Sequence, residues 1–402
     1  MRKRKTSLFF RAFCLLLCFA FLPFSAQADT FDMAEEAPIA AETVSEGFAV
    51  EAKSAVLMEE KTGKVLYAQN ENEALPPASV TKVMTLLLIM EAIDGGKIGW
   101  QDQVTVSERA ASMGGSQIFL KVGEVMSVED LLKSVVIASA NDAALALAEY
   151  VMGSEEAFVA AMNQKAKDLG LQATVFENTN GLDDTVKNHV TSALDIAVMS
   201  RELISHKDIL KYSSVWMDTV RNGAFTLTNT NRLIRFYPGA TGLKTGSTAK
   251  AGFCITATAE RNGMTLIAVV MGAETRDKRN AETKKLLDYG FARYGMYKDE
   301  TGCTETLPLK GGISRGLPLT AEPFCTVLPK ESLAKVQSCR ELPEYVSAPI
   351  QKGTEIGKIV YTVDGEKVGE SRILAKETVE EMTFSAMLLK LLQNMTLFTR
   401  SV

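Results

Sequence analysis

The sequence predicts an α+β fold: an antiparallel sheet with helices packed against it, followed by a small β-rich domain and a C-terminal amphipathic helix. Three observations lead there. Strand-like runs stand at both ends of residues 47–295, and the stretch between them reads as helices. After about Gly295 the texture changes to short strand-like runs between Gly and Pro turns. The length of 402 residues fits two or three domains at roughly 100–200 residues each. A hydrophobic share of 46% and a charged share of 23% are ordinary for a globular chain with a sizeable core.

Residues 1–28 read as a secretory signal peptide. Arg2, Lys3, Arg4 and Lys5 form a positive start, an apolar run follows from about Ala12 to Phe24, and Ser25-Ala26-Gln27-Ala28 ends it with small residues. The alternative is an uncleaved anchor, but the run is short against a span of about 20 residues. Residues 29–46 are acidic, alanine-rich and aperiodic, and read as a linker. Ala55–Met58 and Val65–Tyr67 flank a turn at Glu60–Gly63, a hairpin signal. Pro76-Pro77 stops the strand. Ser79 to about Ile93 has helical spacing and closes on Gly95-Gly96. Residues 128–151, 155–169 and 192–205 are predicted helices, and Asn178–Asn188 is a polar loop between them. Gly252–Ala259 and Met264–Met271 are strands joined at Glu260–Gly263, and Lys284–Tyr294 is a helix that closes the first domain, 47–295. Residues 296–376 form the small β-rich domain, with strands at Glu355–Val363 and Lys367–Leu374. In 377–402, Val379, Met382, Phe384, Met387, Leu388, Leu391, Leu392, Met395 and Phe398 recur at three- and four-residue steps and make one apolar stripe. Polar residues interrupt it, so it does not span a bilayer. It is expected to lie in the membrane interface, against the alternative of packing on the β-rich domain.

Composition excludes several functions. The net charge of −5 becomes −10 once the five basic residues of 1–28 are removed, and no basic patch of the kind that binds nucleic acid is visible. His189 and His206 are the only histidines, which argues against a metal centre, and no cofactor is expected. Outside 1–28 the cysteines are Cys254, Cys303, Cys325 and Cys339. Cys254 sits in an apolar strand and reads as a small buried residue. Any bridge joins two of the other three.

Three short motifs carry chemistry, in one order. Ser79-Val80-Thr81-Lys82 places a serine and a lysine three apart, on one face if Ser79 opens a helix. Serine becomes a good nucleophile when a neighbouring base takes its proton, and the N-terminal end of a helix offers N–H groups to a developing oxyanion. Ser139-Ala140-Asn141 lies at the junction of two helical stretches; its hydroxyl can relay a proton and its amide can hold a peptide backbone. Lys244-Thr245-Gly246-Ser247-Thr248 leads into a strand. Gly246 lets a peptide approach and add as a further strand, while Lys244 and the hydroxyls of Thr245, Ser247 and Thr248 suit a terminal carboxylate. Each motif alone is weak. Ser247–Lys250 and Ser332–Lys335 repeat the first spacing, and Lys61-Thr62-Gly63 repeats part of the third as a hairpin turn. The ordered trio, each member in its expected context, is what singles out these residues.

Pro77-Ala78-Ser79-Val80-Thr81-Lys82, Asn178-Thr179-Asn180-Gly181-Leu182-Asp183, Gly242-Leu243-Lys244-Thr245-Gly246 and Val269-Val270-Met271-Gly272-Ala273 resemble the D-alanyl-D-alanine carboxypeptidases, low-molecular-weight penicillin-binding proteins. The resemblance spans about residues 45–376. It implies a penicillin-binding, β-lactamase-like transpeptidase domain that removes the terminal D-alanine from peptidoglycan stem peptides ending in D-Ala-D-Ala, and that β-lactams acylate. It implies Ser79 as the acylated nucleophile, Lys82 as base, Ser139 as proton shuttle, and Asn141 as a positioning amide. Lys244 and Thr245 would take the substrate carboxylate, and the N–H groups of Ser79 and Ser247 would form the oxyanion hole. Family members often carry an arginine near Asn229–Leu233; here Thr230 matches best and Arg232 lies two further on, which leaves the carboxylate reader partly open. His189 is expected to be structural, and Met113–Gln117 a mobile loop beside the site. Export to the outer face of the cytoplasmic membrane is expected, with the C-terminal helix holding the membrane surface. The rivals are a β-lactamase, for which Glu177 is the acid nearest the required place, and a catalytically silent wall-binding module, against which the intact motifs argue.

Overall fold

Alternation along the first strand sets the architecture. In β1 (Ser54–Glu59), Val56 and Met58 join one apolar cluster while Ala55 and Leu57 join another, so the sheet is covered on both faces. The structure is a computed structural model describing residues 48–398 other than 185, 303 and 304. The expected leader 1–28 and linker 29–46 lie outside the described residues, as does Cys303.

β1 pairs with β2 (Val65–Gln69). Lys61-Thr62-Gly63 fills the turn between them, where Glu59 accepts from the backbone N–H groups of Lys61 and Thr62. A 3-10 turn, Ala78–Thr81, then feeds helix α1 (Lys82–Asp94). Nearly all of α1 is buried, from Lys82 to Ile93; a helix apolar all round is a core helix. Its neighbours are the short ladder of β3 (Gln103–Thr105) and β4 (Val125–Ser127), and helices α2 (Val128–Ala138), α3 (Asn141–Met152), α4 (Glu155–Asp168) and α5 (Ala193–Ser205). Ser127, Ser154 and Ser192 cap α2, α4 and α5 by accepting from a backbone N–H three residues on, each worth about 1 kcal/mol.

Within 128–151, the two helical stretches expected on either side of Ser139-Ala140-Asn141 are α2 and α3. Ser139 is left-handed, at φ 61°, and turns the chain by its own backbone before α3 begins.

A hairpin of β5 (Met217–Val220) and β6 (Phe225–Thr228) precedes β7 (Ala240–Thr248), β8 (Gly252–Arg261) and β9 (Met264–Ala273). The central sheet runs β2-β1-β9-β8-β7, all antiparallel. Helix α6 (Arg276–Arg293) covers the face opposite α1, with Leu286, Leu287 and Phe291 turned in. It starts eight residues before the expected Lys284, capped by Thr275.

The small β-rich domain follows. β10 (Tyr294–Asp299) pairs with β13 (Phe324–Pro329). β11 (Thr306–Lys310), β12 (Gly316–Ala321), β14 (Val336–Glu341), β15 (Val346–Ser347), β16 (Glu355–Val363) and β17 (Glu366–Ala375) form a second sheet in the order β14-β16-β17-β12-β11-β15. Its core holds Leu317, Tyr361 and Ile373, with Phe324 stacked on Tyr361 at 4.0 Å. Cys254 is buried; Cys325 and Cys339 are exposed free thiols.

The C-terminal helix, α7 (Phe384–Phe398), begins later than expected. Val379 is buried in the small domain's core and pairs with Ile350 by mutual backbone bonds of 2.8 and 2.9 Å, so it belongs to that domain and not to the helical stripe. Among the described residues no helix is long and apolar enough to cross a membrane.

Candidate active site

Pro77 precedes the 3-10 turn, which sets Ser79 at the mouth of a cleft of about 610 Å³. One turn on, the Lys82 side chain is buried and its Nζ meets three oxygens: Ser79 Oγ at 2.9 Å, Asn141 Oδ1 at 2.6 Å and the Asn180 carbonyl at 2.8 Å. Burial pushes the Lys82 pKa well below its ordinary value, and the Lys244 cation adds to this while Asp142 opposes it. The Ser79–Lys82 pairing expected from spacing is therefore made.

Strand β7 supplies the opposite wall. Lys244, also buried, donates to Ser139 Oγ at 2.8 Å and to the Thr245 carbonyl at 3.0 Å. Burial, then the Arg279 cation, lower its pKa to about 7. Ser139 thus bonds Lys244 and not Lys82. Thr245 Oγ1 donates to Thr230 Oγ1 at 2.7 Å. A Cβ on Gly246 would stand 2.8 Å from both the Pro77 carbonyl and the Ser79 nitrogen, so only glycine lets β7 lie against the nucleophile turn. Ser247 lines the cleft. Thr248 does not: its Oγ1 accepts from Ala251 N–H in the turn to β8.

These distances join three motifs that are far apart in sequence. The description "D-alanyl-D-alanine carboxypeptidase" matches residues 40–275, more than half of the chain, and "Penicillin-binding protein 5, C-terminal domain" matches residues 298–381. The chain belongs to the D-alanyl-D-alanine carboxypeptidase family. It is 47% identical to D-alanyl-D-alanine carboxypeptidase DacF of Bacillus subtilis (strain 168), over 87% of this chain and 91% of that one. Penicillin binding protein 5 from Haemophilus influenzae superposes with a TM-score of 0.74 at 33% identity, over 84% of this chain and all of that one. Penicillin-Binding Protein D2 from Listeria monocytogenes, solved in its ampicillin-bound form, superposes at 0.56 with 34% identity over 61% of this chain and 100% of that one.

The loop 178–183 braces the site from below. Gly181, at φ 84°, passes so close to the nucleophile turn that a Cβ would lie 1.8 Å from the Ala78 carbonyl. His189 is structural, as expected. Its Nδ1 accepts from Glu177 N–H at 3.0 Å, so Nε2 carries the proton and donates to Thr81 Oγ1 at 2.7 Å. Thr81 in turn donates to the Ala78 carbonyl. Burial holds the His189 pKa at about 4, hence neutral. The Glu177 carboxylate accepts from the backbone of Lys187 and Asn188 and caps its own loop.

Residues 113–117, expected as mobile, are tied down. Asn141 donates its amide to the Gly114 carbonyl and its backbone N–H to that of Ser116, both at 2.7 Å. The buried carboxylate of Asp142 accepts from the next backbone, at Ile118 and Leu120.

Sequence reasoning missed Arg279. It is only 3% exposed, lines the cleft, and donates to its neighbour Asn280 alone; among the described residues no carboxylate pairs with it. Burial, then Arg276, hold its pKa down to about 10. A buried unpaired guanidinium at the cleft floor is built to receive a carboxylate. The signal lay in α6: Arg279, Thr283, Leu286, Leu287 and Gly290 share the buried face, and a charge at a core position is anomalous.

Proposed function

We propose that this enzyme cleaves the D-Ala-D-Ala bond of stem peptides through an acyl-enzyme on Ser79, and that Lys82 is the base. The observation that carries the reading is the triple contact at Lys82 Nζ. A neutral amine has two N–H groups. Donated to Asn141 Oδ1 and the Asn180 carbonyl, they leave the lone pair facing the Ser79 hydroxyl. Burial, then the Lys244 cation, favour that neutral state, and Lys244 and Arg279 attract the substrate's terminal carboxylate. Peptide laid along β7 brings its carbonyl to Ser79, where the backbone N–H groups of Ser79 and Ser247 receive the oxyanion. Ser139, held by Lys244, passes a proton to the departing amine. Water then hydrolyses the ester. A β-lactam offers the same carbonyl and carboxylate and acylates the same serine. The β-lactamase alternative is disfavoured because Glu177 is spent on its own loop. The test is mass spectrometry after incubation with penicillin. Wild type is expected to carry one adduct mapping to Ser79, and Ser79→Ala none. An adduct that persists or maps to Ser247 or Ser332 overturns the assignment.

Export and anchoring belong to the same reading. Residues 1–28 have the pattern of a cleavable leader. On α7, Phe384, Met387, Leu388 and Leu391 are exposed and share one apolar stripe. Such a stripe suits the headgroup region of the outer face of the cytoplasmic membrane.

A further inference from the structure

An acyl-enzyme has to be opened by water, and one side chain beside Lys82 has no part in forming it. Asn180 is 1% exposed, and its backbone carbonyl makes one of the three contacts of Lys82 Nζ, at 2.8 Å. Ser79 Oγ stands 2.9 Å from the same nitrogen, so residue 180 and the nucleophile are neighbours across one amine. The Asn180 Oδ1 accepts from the Leu182 N–H at 2.9 Å. That bond fixes the amide's orientation, because a flip would set donor against donor. Nδ2 is left buried, with no hydrogen-bond partner among the described residues. The other amide at Lys82 is fully spent: Asn141 gives Oδ1 to Lys82 and Nδ2 to the Gly114 carbonyl. A buried donor without a partner costs about 1–3 kcal/mol, so an orphan at a reacting centre calls for an occupant.

The other acceptors of the reaction have their donors. The oxyanion takes the N–H groups of Ser79 and Ser247, and the substrate carboxylate takes Lys244 and Arg279. A neutral acceptor next to the base is left, and water fits that description. We propose that Asn180 Nδ2 holds the water that hydrolyses the acyl-enzyme, with Lys82 as its base. Once the first amine has left, Ser79 is an ester, and the lone pair of neutral Lys82 no longer faces a hydroxyl. The water accepts from Asn180 Nδ2 and donates one O–H to Lys82 Nζ, which turns its second lone pair toward the ester. Its oxygen bonds to the D-alanine carbonyl carbon as its proton passes to Lys82. The bond from that carbon to Ser79 Oγ then breaks, and Lys82 returns the proton to Oγ. An amine acceptor behaves differently. By microscopic reversibility it enters where the first amine left, beside Ser139, and has no need of Asn180.

This rests on the acyl-enzyme reading, so the test resolves the two steps on the full-length enzyme. The substrate is a diacetyl-L-lysyl-D-alanyl-D-lactate ester. Rapid quenching and intact-protein mass spectrometry follow the adduct on Ser79, with and without D-alanine as the amine acceptor. Asn180→Ala removes the whole amide. Asn180→Ser removes the Nδ2 donor but keeps an oxygen for the Leu182 N–H, so the local turn survives. Expected in both variants is hydrolysis of the adduct slowed about tenfold, with acylation within about twofold of wild type. The adduct therefore accumulates, and D-alanine clears it at the wild-type rate. Three results overturn the proposal and leave Asn180 a brace of its loop: acylation that falls in step with hydrolysis, aminolysis that falls with it, or Asn180→Ser behaving as wild type. Thermal melts check folding. If Asn180→Ala does not fold, Asn180→Ser carries the test alone, and loss of folding in both counts against the proposal. If wild type forms no adduct on Ser79, the carboxypeptidase reading itself fails and this inference goes with it.

Discussion

At the scale of residues, the chemistry turns on how two buried lysines share one small volume. Lys244 helps to depress Lys82, so its loss has a signed consequence. In Lys244→Met, the Lys82 pKa rises toward the ordinary lysine range of about 10.4. Less of the base is neutral at a given pH, and the acid limb of penicillin acylation moves to higher pH. The readout is the position of that limb, not its height, because carboxylate binding is weakened as well. A limb that stays in place would mean that burial alone sets Lys82. Lys82→Arg is expected to lose about 10²–10⁴-fold in acylation, since guanidinium cannot act as a base. The Ser79–Lys82 pair was legible in the sequence because a three-residue step on one turn is a local rule. Arg279 was not, since only the packing of α6 against the sheet carries it to the cleft floor. Thr248 was assigned by extending a motif past the point where β7 still faces the cleft.

At the scale of elements, the two ends of 377–402 do different work. Val379 bridges to Ile350 and fills the small core, while the stripe from Phe384 to Leu392 faces outward. Removing 384–402 is expected to release the enzyme from membranes and leave pentapeptide hydrolysis unchanged. Removing 378–402 also strips the buried Val379, which costs about 1.5–3 kcal/mol and lowers the melting temperature of the small domain. Fractionation and thermal melts of the two truncations separate these effects. If the shorter deletion still sediments with membranes, the stripe is not the anchor. Helical periodicity runs smoothly from Thr378 onward, so spacing alone could not show that Val379 and Glu381 form isolated bridges to Ile350 and Gly312. The junction at Ser139 is legible in the sequence, but the left-handed backbone that divides α2 from α3 there has no side-chain signature.

At the scale of the whole molecule, α+β layering and the small β domain followed from the order of strand-like and helical runs, because that order decides which faces need covering. Stability is coupled to pH through His189, which braces the nucleophile turn while neutral. Its folded pKa of about 4 lies below the free value of 6.5. Above pH ~6.5 the histidine is neutral in both states and its contribution is intact. Between there and about 4 the unfolded chain takes a proton that the folded chain refuses, and stability falls by up to about 3 kcal/mol. Below that the loss levels off. Urea unfolding of wild type and His189→Gln across this window should show a flatter curve for the variant; parallel curves would exclude His189 as the source. The tight seam between β7 and the nucleophile turn carries a different consequence, for the evolution of drug resistance. Gly246 touches the Ser79 backbone with no room for one added carbon, so a mutation there cannot shut out an antibiotic without displacing Ser79 itself. Escape by remodelling that wall is closed, and selection is left with the outer rim, at Trp216 and Phe236, where a side chain can change shape without moving the nucleophile.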